Sequence, residues 1–236
     1  MRSRRAGVHV ILTCPLSAVK TSLLIPLLAT ATALFLGPSA PRVVAADDHQ
    51  RIAGIDTSQW RGFNLLEKFT LRGNAPFKED DFKWIAELGF NFVRLPMDYR
   101  CYTEPGDWLK FDERALQEID QAIAFGEKYG IHVCLNLHRA PGFCINPPAE
   151  PKDLWTDPEA QEAFLAHWTM FARRYRQVPA ARLSFNLINE PTRNTRETFL
   201  HVNQRAIAAI HAVDASRLVI VDGNNVSDLG DDRPGM

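Results

Sequence analysis

The stretch FNLINEP, residues 185–191, is an apolar run that ends in an amide and a carboxylate, Asn189 and Glu190, followed by Pro191. It closes the segment RLSFNLINE (182–190), which has the composition of a buried β-strand. An unpaired carboxylate is costly to bury, so this polar ending indicates a strand that opens into a polar cleft. A regular strand would direct Asn189 and Glu190 to opposite faces. We therefore expect the strand to bulge or end at this pair, before a proline that cannot donate to a ladder.

The same kind of strand recurs along the chain, separated by stretches with helical periodicity. Four more strands are predicted at GFNLL (62–66), FNFVRLP (90–96), IHVCLNLH (131–138) and RLVIVDGN (217–224). Helices are predicted at 79–89, 112–130, 157–176 and 197–215, with cap residues such as Asp112 and Gly130 at their ends. Strands that alternate with helices and are interpreted as apolar on both faces predict a parallel sheet covered by helices.

Two α/β architectures fit this order: an open doubly wound sheet and a closed (β/α)8 TIM barrel. The first strand of a nucleotide-binding open sheet is usually followed by a glycine-rich turn. The sequence GFNLLEKFTLRGN (62–74) contains neither GxGxxG nor a phosphate loop, which favours the barrel. In a barrel, functional residues lie where each strand ends and its following loop begins.

The predicted strands become polar at these ends. Each polar residue on its own has a structural explanation, such as an ion pair, a core histidine or a loop cap. Several ionisable groups at one face of a barrel nevertheless cost stability unless they serve a site. The residues at the strand ends are Arg94, His138, Asn189 with Glu190, and Asp222 with Asn224.

The residue types limit the chemistry of such a site. The sequence shows no serine or cysteine elbow, no Cys/His spacing for a metal and no phosphate cradle, so we expect neither a metal nor another cofactor. Glu190 is the strongest candidate for proton transfer, with Arg94, His138 and Asn189 as hydrogen-bonding partners. Bond cleavage by two carboxylates suits this set, and glycoside hydrolysis is its commonest form. A second acid is then required.

Four motifs in order, RGFNLLEKF, FNFVRLP, LNLHRAPG and FNLINEP, resemble glycoside hydrolase family 5, the cellulase family of (β/α)8 retaining enzymes. The resemblance covers nearly all of residues 60–225. It implies that Glu190 is the general acid/base and that Asn189 holds the 2-hydroxyl of the sugar. It further implies that Arg94 is the strand-two arginine near the nucleophile and that His138 binds sugar.

The resemblance implies double displacement on a β-linked polysaccharide, most simply as an endo-β-1,4-glucanase. The family's nucleophile is a glutamate at the end of the seventh strand, whereas this sequence reaches only its fifth. Asp222 ends that fifth strand but is an aspartate at the wrong position, and we do not assign it. We therefore expect a barrel truncated after the fifth strand, with the nucleophile absent from this chain. The alternative is a short, noncatalytic carbohydrate-binding barrel fragment.

Aromatic side chains are candidate stacking platforms for sugar rings. We predict that Trp155, in the loop after the third strand, is such a platform; the alternative is that it simply packs within its loop. We predict that Glu67, after the first strand, lines a neighbouring subsite; the alternative is that it forms a surface ion pair. Trp84 and Trp168 lie on apolar helix faces and are predicted to be core. Further platform candidates follow the second strand: Tyr99, Tyr102 and Trp108.

Residues 1–46 differ from the rest, with five basic residues and no acid before Asp47. Their apolar core, Leu23 to Leu36, is short for a membrane span, and small residues follow it. We predict a secretory signal peptide cut after Ala46, and hence a secreted or periplasmic domain over 47–236. An ordinary positive leader is favoured over the twin-arginine signal that SRR (3–5) suggests, and an uncleaved anchor is the other alternative. Cleavage changes the formal net charge from −1 to −6. This acidity argues against nucleic acid or anionic membrane as partner and is compatible with a neutral polysaccharide or oligosaccharide substrate. A monomer is expected for the full-length protein.

Three cysteines follow the predicted leader. Cys134 lies inside an apolar strand and is predicted to be a buried thiol. Cys101 and Cys144 each follow a strand end, and the sequence leaves open whether they pair in an oxidising compartment.

Overall fold

The structure is a computed structural model that describes residues 55–224 and two short strand segments, Val8–His9 and Arg51–Ile52. Its centre is a parallel sheet of five strands: β1 (Gly62–Asn64), β2 (Phe92–Asp98), β3 (His132–Arg139), β4 (Leu183–Asn186) and β5 (Leu218–Asp222). Val8–His9 adds antiparallel to β5, and Arg51–Ile52 pairs with Ile55–Asp56. Apart from Val8–His9, the predicted leader lies outside the described residues, so the signal peptide and its cleavage remain a prediction.

A helix follows each of the first four strands: α1 (Glu79–Glu87), α2 (Glu113–Tyr129), α3 (Pro158–Arg174) and α4 (Arg196–Val213). The side chain of Asp112 caps α2 by accepting from the backbone N–H of Arg114 and Ala115, and Gly130 ends the helix at φ 70°. Asp157 caps α3 in the same way, and Thr195 forms a capping box on α4. Most predicted helix ends therefore lie within two residues of the observed ones.

The strands are adjacent in the order in which they occur along the chain, β1 to β5, without reversal. A doubly wound sheet reverses its strand order at a switch point, whereas a (β/α)8 barrel adds each strand beside the last. The predicted barrel class is therefore confirmed over the described residues, and the carboxyl ends of all five strands lie along one edge.

The two faces of the sheet differ in polarity. On the outer face, residues such as Val93, Leu135 and Phe185 are fully buried beneath the helices. On the inner face, the register aligns Pro96 with Asn136, Asn186 and Ile220 across four strands. The prediction of strands apolar on both faces is wrong, because alternate positions of β2, β3 and β4 carry polar side chains into the barrel interior.

The core lies between the outer face and the helices. Trp168 of α3 is fully buried, packing on Phe171 and with its ring 5.2 Å from that of Phe185, as predicted for a core residue. Trp84 of α1 was also predicted to be core, but its side chain is 57% exposed. That prediction is wrong, since Phe82 and Ile85 form the buried face of α1 instead.

Candidate active site

A cavity of about 390 Å³ opens at the carboxyl ends of β1 to β4. Four strand-end residues predicted from the sequence line it together: Arg94, His138, Asn189 and Glu190. The other lining residues come from β1 and β2 and from the loops after β1 and β3: Asn64, Leu66, Phe69, Pro96, Ile145 and Asn146. Among the described residues that line the cavity, Glu190 is the only acid.

Glu190 is solvent-exposed and has a left-handed backbone conformation, with φ at 45°. The regular strand β4 ends at Asn186, and the N–H of Asn189 still donates to the Leu137 carbonyl at 3.1 Å. The regular strand therefore ends three residues before Asn189, earlier than predicted, although backbone hydrogen bonding to β3 continues to Asn189. A left-handed conformation costs a residue with a Cβ atom about 1–2 kcal/mol, so neighbouring contacts must hold it. One such contact is the hydrogen bond from the Glu190 backbone N–H to Asp222 Oδ2, at 3.1 Å.

Arg94 projects toward the end of β4 from the middle of β2, because β2 continues to Asp98; the prediction that Arg94 ends its strand is wrong. Its Nη2 donates to Asn189 Oδ1 at 2.8 Å, and its Nε donates to Asn186 Oδ1 at 2.9 Å. Because the Asn189 oxygen is occupied, its Nδ2 group is the part of the amide left to donate to a ligand. Arg94 therefore fixes the orientation of the amide beside Glu190.

Asn136 and Asn186 join this site from the inner face and were missed by the sequence reasoning. Asn186 is 2% exposed; it accepts from Asn136 Nδ2 at 2.9 Å and donates to Asp222 Oδ1 at 2.8 Å. A signal was present in the sequence, because both asparagines are flanked by apolar residues at alternate strand positions, as Arg94 is. Interpreting these strands as apolar on both faces hides that signal.

His138 forms another wall of the cavity, with the ring of Phe69 tilted against it at a centroid distance of 4.3 Å. Burial, together with the positive charges of Arg94 and Arg139, lowers the pKa of His138 to about 4. The imidazole is therefore neutral at neutral pH, with one nitrogen able to donate and the other able to accept. This is a suitable chemistry for a group that contacts hydroxyls.

The loop after β3 is held in place by Arg139, which is 3% exposed. Arg139 forms ion pairs with Asp98 and with Glu150. It also donates to the carbonyl of Asn146 at 2.8 Å and to that of Pro148 at 3.0 Å. Since this loop supplies two of the lining side chains, a buried charge cluster sets part of the cavity's shape.

The structure contradicts the predicted aromatic platform. Trp155 is 2% exposed and packs against Phe143 and Phe199 in the core, away from the cavity. Tyr99 and Tyr102 are also buried, because the short helical turn after β2 folds back into the core. The aromatic side chain that lines the cavity is Phe69, which the sequence reasoning did not select.

Glu67 does not line the cavity either. Its side chain is half-buried, burial raises its pKa, and its Oε2 atom has no hydrogen-bond partner. The predicted neighbouring subsite is therefore not found at Glu67, and no ion pair of Glu67 is seen within residues 55–224 either. Lys68, the next residue, instead turns inward and pairs with Glu118.

The three cysteines within residues 55–224, Cys101, Cys134 and Cys144, are free and buried. Cys134 is the predicted buried thiol, and burial raises its pKa to about 11. Over the same part of the chain, no group of His, Cys, Asp and Glu residues is arranged to hold a metal ion. None of the described helices combines the length and apolarity that crossing a bilayer requires.

The family model described as cellulase (glycosyl hydrolase family 5) matches residues 49–234. The chain belongs to glycosyl hydrolase family 5. Membership agrees with the barrel topology and with the resemblance in the four strand-end motifs, and it makes this chain part of a family of (β/α)8 barrels.

Individual relatives support the same assignment. Endoglucanase C of Acetivibrio thermocellus is 29% identical over 73% of this chain and 50% of its own length. The crystal structure of a glycoside hydrolase is 37% identical with a TM-score of 0.67, covering 70% of this chain and 54% of the other. Thermotoga maritima Cel5A in complex with cellobiose is 26% identical with a TM-score of 0.56, over 70% and 52% respectively. The chain spans about half the length of these relatives.

Proposed function

We propose that this chain supplies the acid/base half of a retaining glycoside hydrolase site that acts on a β-linked glucan. The observation that carries the proposal is the cavity in which Glu190 stands beside Arg94, Asn189 and a neutral His138. Glu190 is the general acid/base: protonated, it donates to the leaving glycosidic oxygen, and it then deprotonates the incoming water. Glu190 would thus supply the proton transfers of both displacement steps, and the second carboxylate would form and release the covalent bond to the sugar.

The remaining groups hold the sugar. Asn189, oriented by Arg94, donates from Nδ2 to a ring hydroxyl such as the 2-hydroxyl, whose hydrogen bond strengthens in the transition state. His138 exchanges hydrogen bonds with a second hydroxyl, and Phe69 beside it offers an apolar ring face. These contacts need no cofactor, and a neutral glycan is compatible with a mature domain of formal charge −6.

The nucleophile, on this proposal, is not among the described residues. Double displacement requires a second carboxylate about 5 Å from the acid/base. Asp222 is the carboxylate that contacts Glu190, but both of its oxygens accept N–H groups, from Asn186 and from the Glu190 backbone. Asp222 does not line the cavity, so it is not placed to attack a sugar bound there. We infer that the attacking glutamate comes from outside residues 55–224.

The proposed substrate is a β-1,4-glucan, since the relatives above include an endoglucanase and a complex with cellobiose. We further propose that the domain acts after export, secreted or in the periplasm, once the leader is removed after Ala46. The proposed partner is the polysaccharide or an oligosaccharide of it.

Binding and turnover test these statements separately. Titration calorimetry of the full chain with cellotetraose should show saturable binding, and Asn189→Ala should weaken it by about tenfold through loss of one hydrogen bond to the sugar. Asn203→Ala is the matched control, because Asn203 is also buried but bonds within α4. Carboxymethyl-cellulose, mannan and laminarin, assayed side by side, should release no reducing sugar above the blank.

Three results would change the proposal. Turnover that disappears in Glu190→Gln would show that the nucleophile is present in this chain. Binding to mannan or laminarin in preference to the cello-oligosaccharide would correct the substrate. Retention of β-glucan without turnover, unchanged by Glu190→Gln, would support the alternative of a noncatalytic carbohydrate binder, whereas absence of any glycan binding would refute both functions.

A further inference from the structure

The backbone of Glu190 is part of a closed ring of hydrogen bonds. The Glu190 N–H donates to Asp222 Oδ2 at 3.1 Å, and Asn186 Nδ2 donates to Asp222 Oδ1 at 2.8 Å. Arg94 then donates to Asn186 Oδ1 at 2.9 Å and to Asn189 Oδ1 at 2.8 Å. The peptide bond from Asn189 to Glu190 closes the ring. The ring thus links β2, β4 and β5 at the strand end that carries the proposed acid/base.

Within this ring, Asp222 accepts two hydrogen bonds, one from the Asn186 amide and one from the Glu190 backbone N–H. An ionised carboxylate has two equivalent acceptor oxygens, so it can receive the Asn186 amide on one and the Glu190 backbone on the other. An asparagine at this place would present an NH₂ group to one of two N–H donors. The geometry therefore requires an acid at residue 222.

We propose that Asp222 is a positioning residue that holds the Glu190 backbone in its left-handed conformation and so directs the Glu190 carboxyl into the cavity. This inference rests on the proposed function of Glu190. A left-handed φ is unfavourable for a residue with a Cβ atom, so a backbone released from Asp222 relaxes toward negative φ. The Cα–Cβ bond of Glu190 then turns, and the carboxyl leaves its place. Asp222 neither attacks substrate nor transfers a proton.

The first test observes the contact itself. In TROSY spectra of the ¹⁵N-labelled full chain, the rate at which the Glu190 amide exchanges with solvent reports on its hydrogen bond to Asp222. In Asp222→Asn, the amide should exchange with solvent about tenfold faster, as expected for the loss of one hydrogen bond. A Glu190 amide that behaves identically in wild type and Asp222→Asn overturns the proposal.

Asp214→Asn is the matched control. Asp214 is a buried acid that accepts from Ser216 and Arg217 before the amino end of β5, away from the cavity. Its substitution should lower stability and leave the Glu190 amide unchanged. If Asp214→Asn alters that amide to the same extent as Asp222→Asn, the effect is a general loss of structure and the proposed role of Asp222 is refuted.

The second test asks whether Asp222 acts through Glu190. In a double-mutant cycle on cellotetraose affinity, Glu190→Ala should weaken binding by about tenfold in the wild-type background and by less than about threefold in the Asp222→Asn background. An equal effect in both backgrounds overturns the proposal. If wild type binds no glycan, the proposed function fails, and the amide measurement still decides whether Asp222 holds Glu190.

Discussion

Replacing Asn186 by alanine should destabilise the fold far more than removing a comparable asparagine elsewhere. Asn186 is 2% exposed, and its amide serves Arg94 Nε, Asn136 Nδ2 and Asp222 Oδ1. Asn186→Ala leaves four buried or half-buried polar groups each short of one partner, the fourth being the Ile220 carbonyl, to which Asn186 Nδ2 donates at 3.4 Å. A single unsatisfied group costs roughly 1–3 kcal/mol.

Adding the full cost of every unsatisfied group overstates the loss of folding stability, for two structural reasons. Asn136 Nδ2 keeps a second bond, to the Asn186 carbonyl at 3.1 Å. The vacated amide volume also adjoins a polar site, so water can replace part of the lost bonding. We therefore expect the free energy of unfolding to fall by about 2–4 kcal/mol. Most of this loss should come from the hydrogen bonds that Asn186 makes with Arg94 and with Asp222.

Asn203→Ala provides the comparison. Asn203 is also 2% exposed, but its one hydrogen bond goes to the Phe199 carbonyl in its own helix, at 2.8 Å, and its Oδ1 has no partner. Alanine is the better helix former, which offsets part of the lost bond, so we expect a change below about 1 kcal/mol. Urea unfolding at equilibrium, followed by tryptophan fluorescence, measures both. Equal losses in the two variants would refute the role of Asn186 as the hub of the site.

Three further predictions concern parts of the chain outside this hub. Burial lowers the pKa of His167 to about 4, so the folded protein binds this proton only at a lower pH than the unfolded chain does. The free energy of unfolding should therefore fall as the pH drops from about 6.5 to 4. In urea unfolding measured across this pH range, His167→Gln should reduce the slope of stability against pH by about one proton. Trp155→Ala should cost about 3–5 kcal/mol in the same assay, whereas Trp84→Ala should change stability by less than about 1 kcal/mol; a reversed order would contradict the placement of these side chains. Amino-terminal sequencing of the exported protein should begin at Asp47, and a mature chain beginning at Met1 would disprove cleavage after Ala46.

Much of the fold was predictable because its signals are local. The period of the apolar residues separates strands from helices, and caps such as Asp112 and Gly130 mark where a helix begins and ends. The order of elements then gave a barrel, and the barrel rule placed Arg94, His138, Asn189 and Glu190 at one edge, where the structure brings them together.

Tertiary packing determines the environments of aromatic side chains that the local sequence pattern could not predict. Trp84 and Trp155 exchanged their predicted environments, since the exposure of an aromatic side chain depends on which elements pack against it. Phe69 was overlooked for the same reason: its place beside His138 depends on how the loop after β1 folds over the cavity. Neither arrangement leaves a periodic trace in the sequence.

Asp222 shows a deeper difficulty in deriving a site from its sequence. We set it aside because we weighed each acid as a possible nucleophile, and at the end of the fifth strand it fits that role poorly. In the structure, its contacts are with the backbone N–H of Glu190 and the amide of Asn186, neither of which a side-chain motif reveals. The unusual conformation lies just after β4, and a carboxylate that holds it comes from β5. The chemistry proposed for one strand end therefore depends on the strand beside it, which explains why an acid is required there although it takes no part in the reaction.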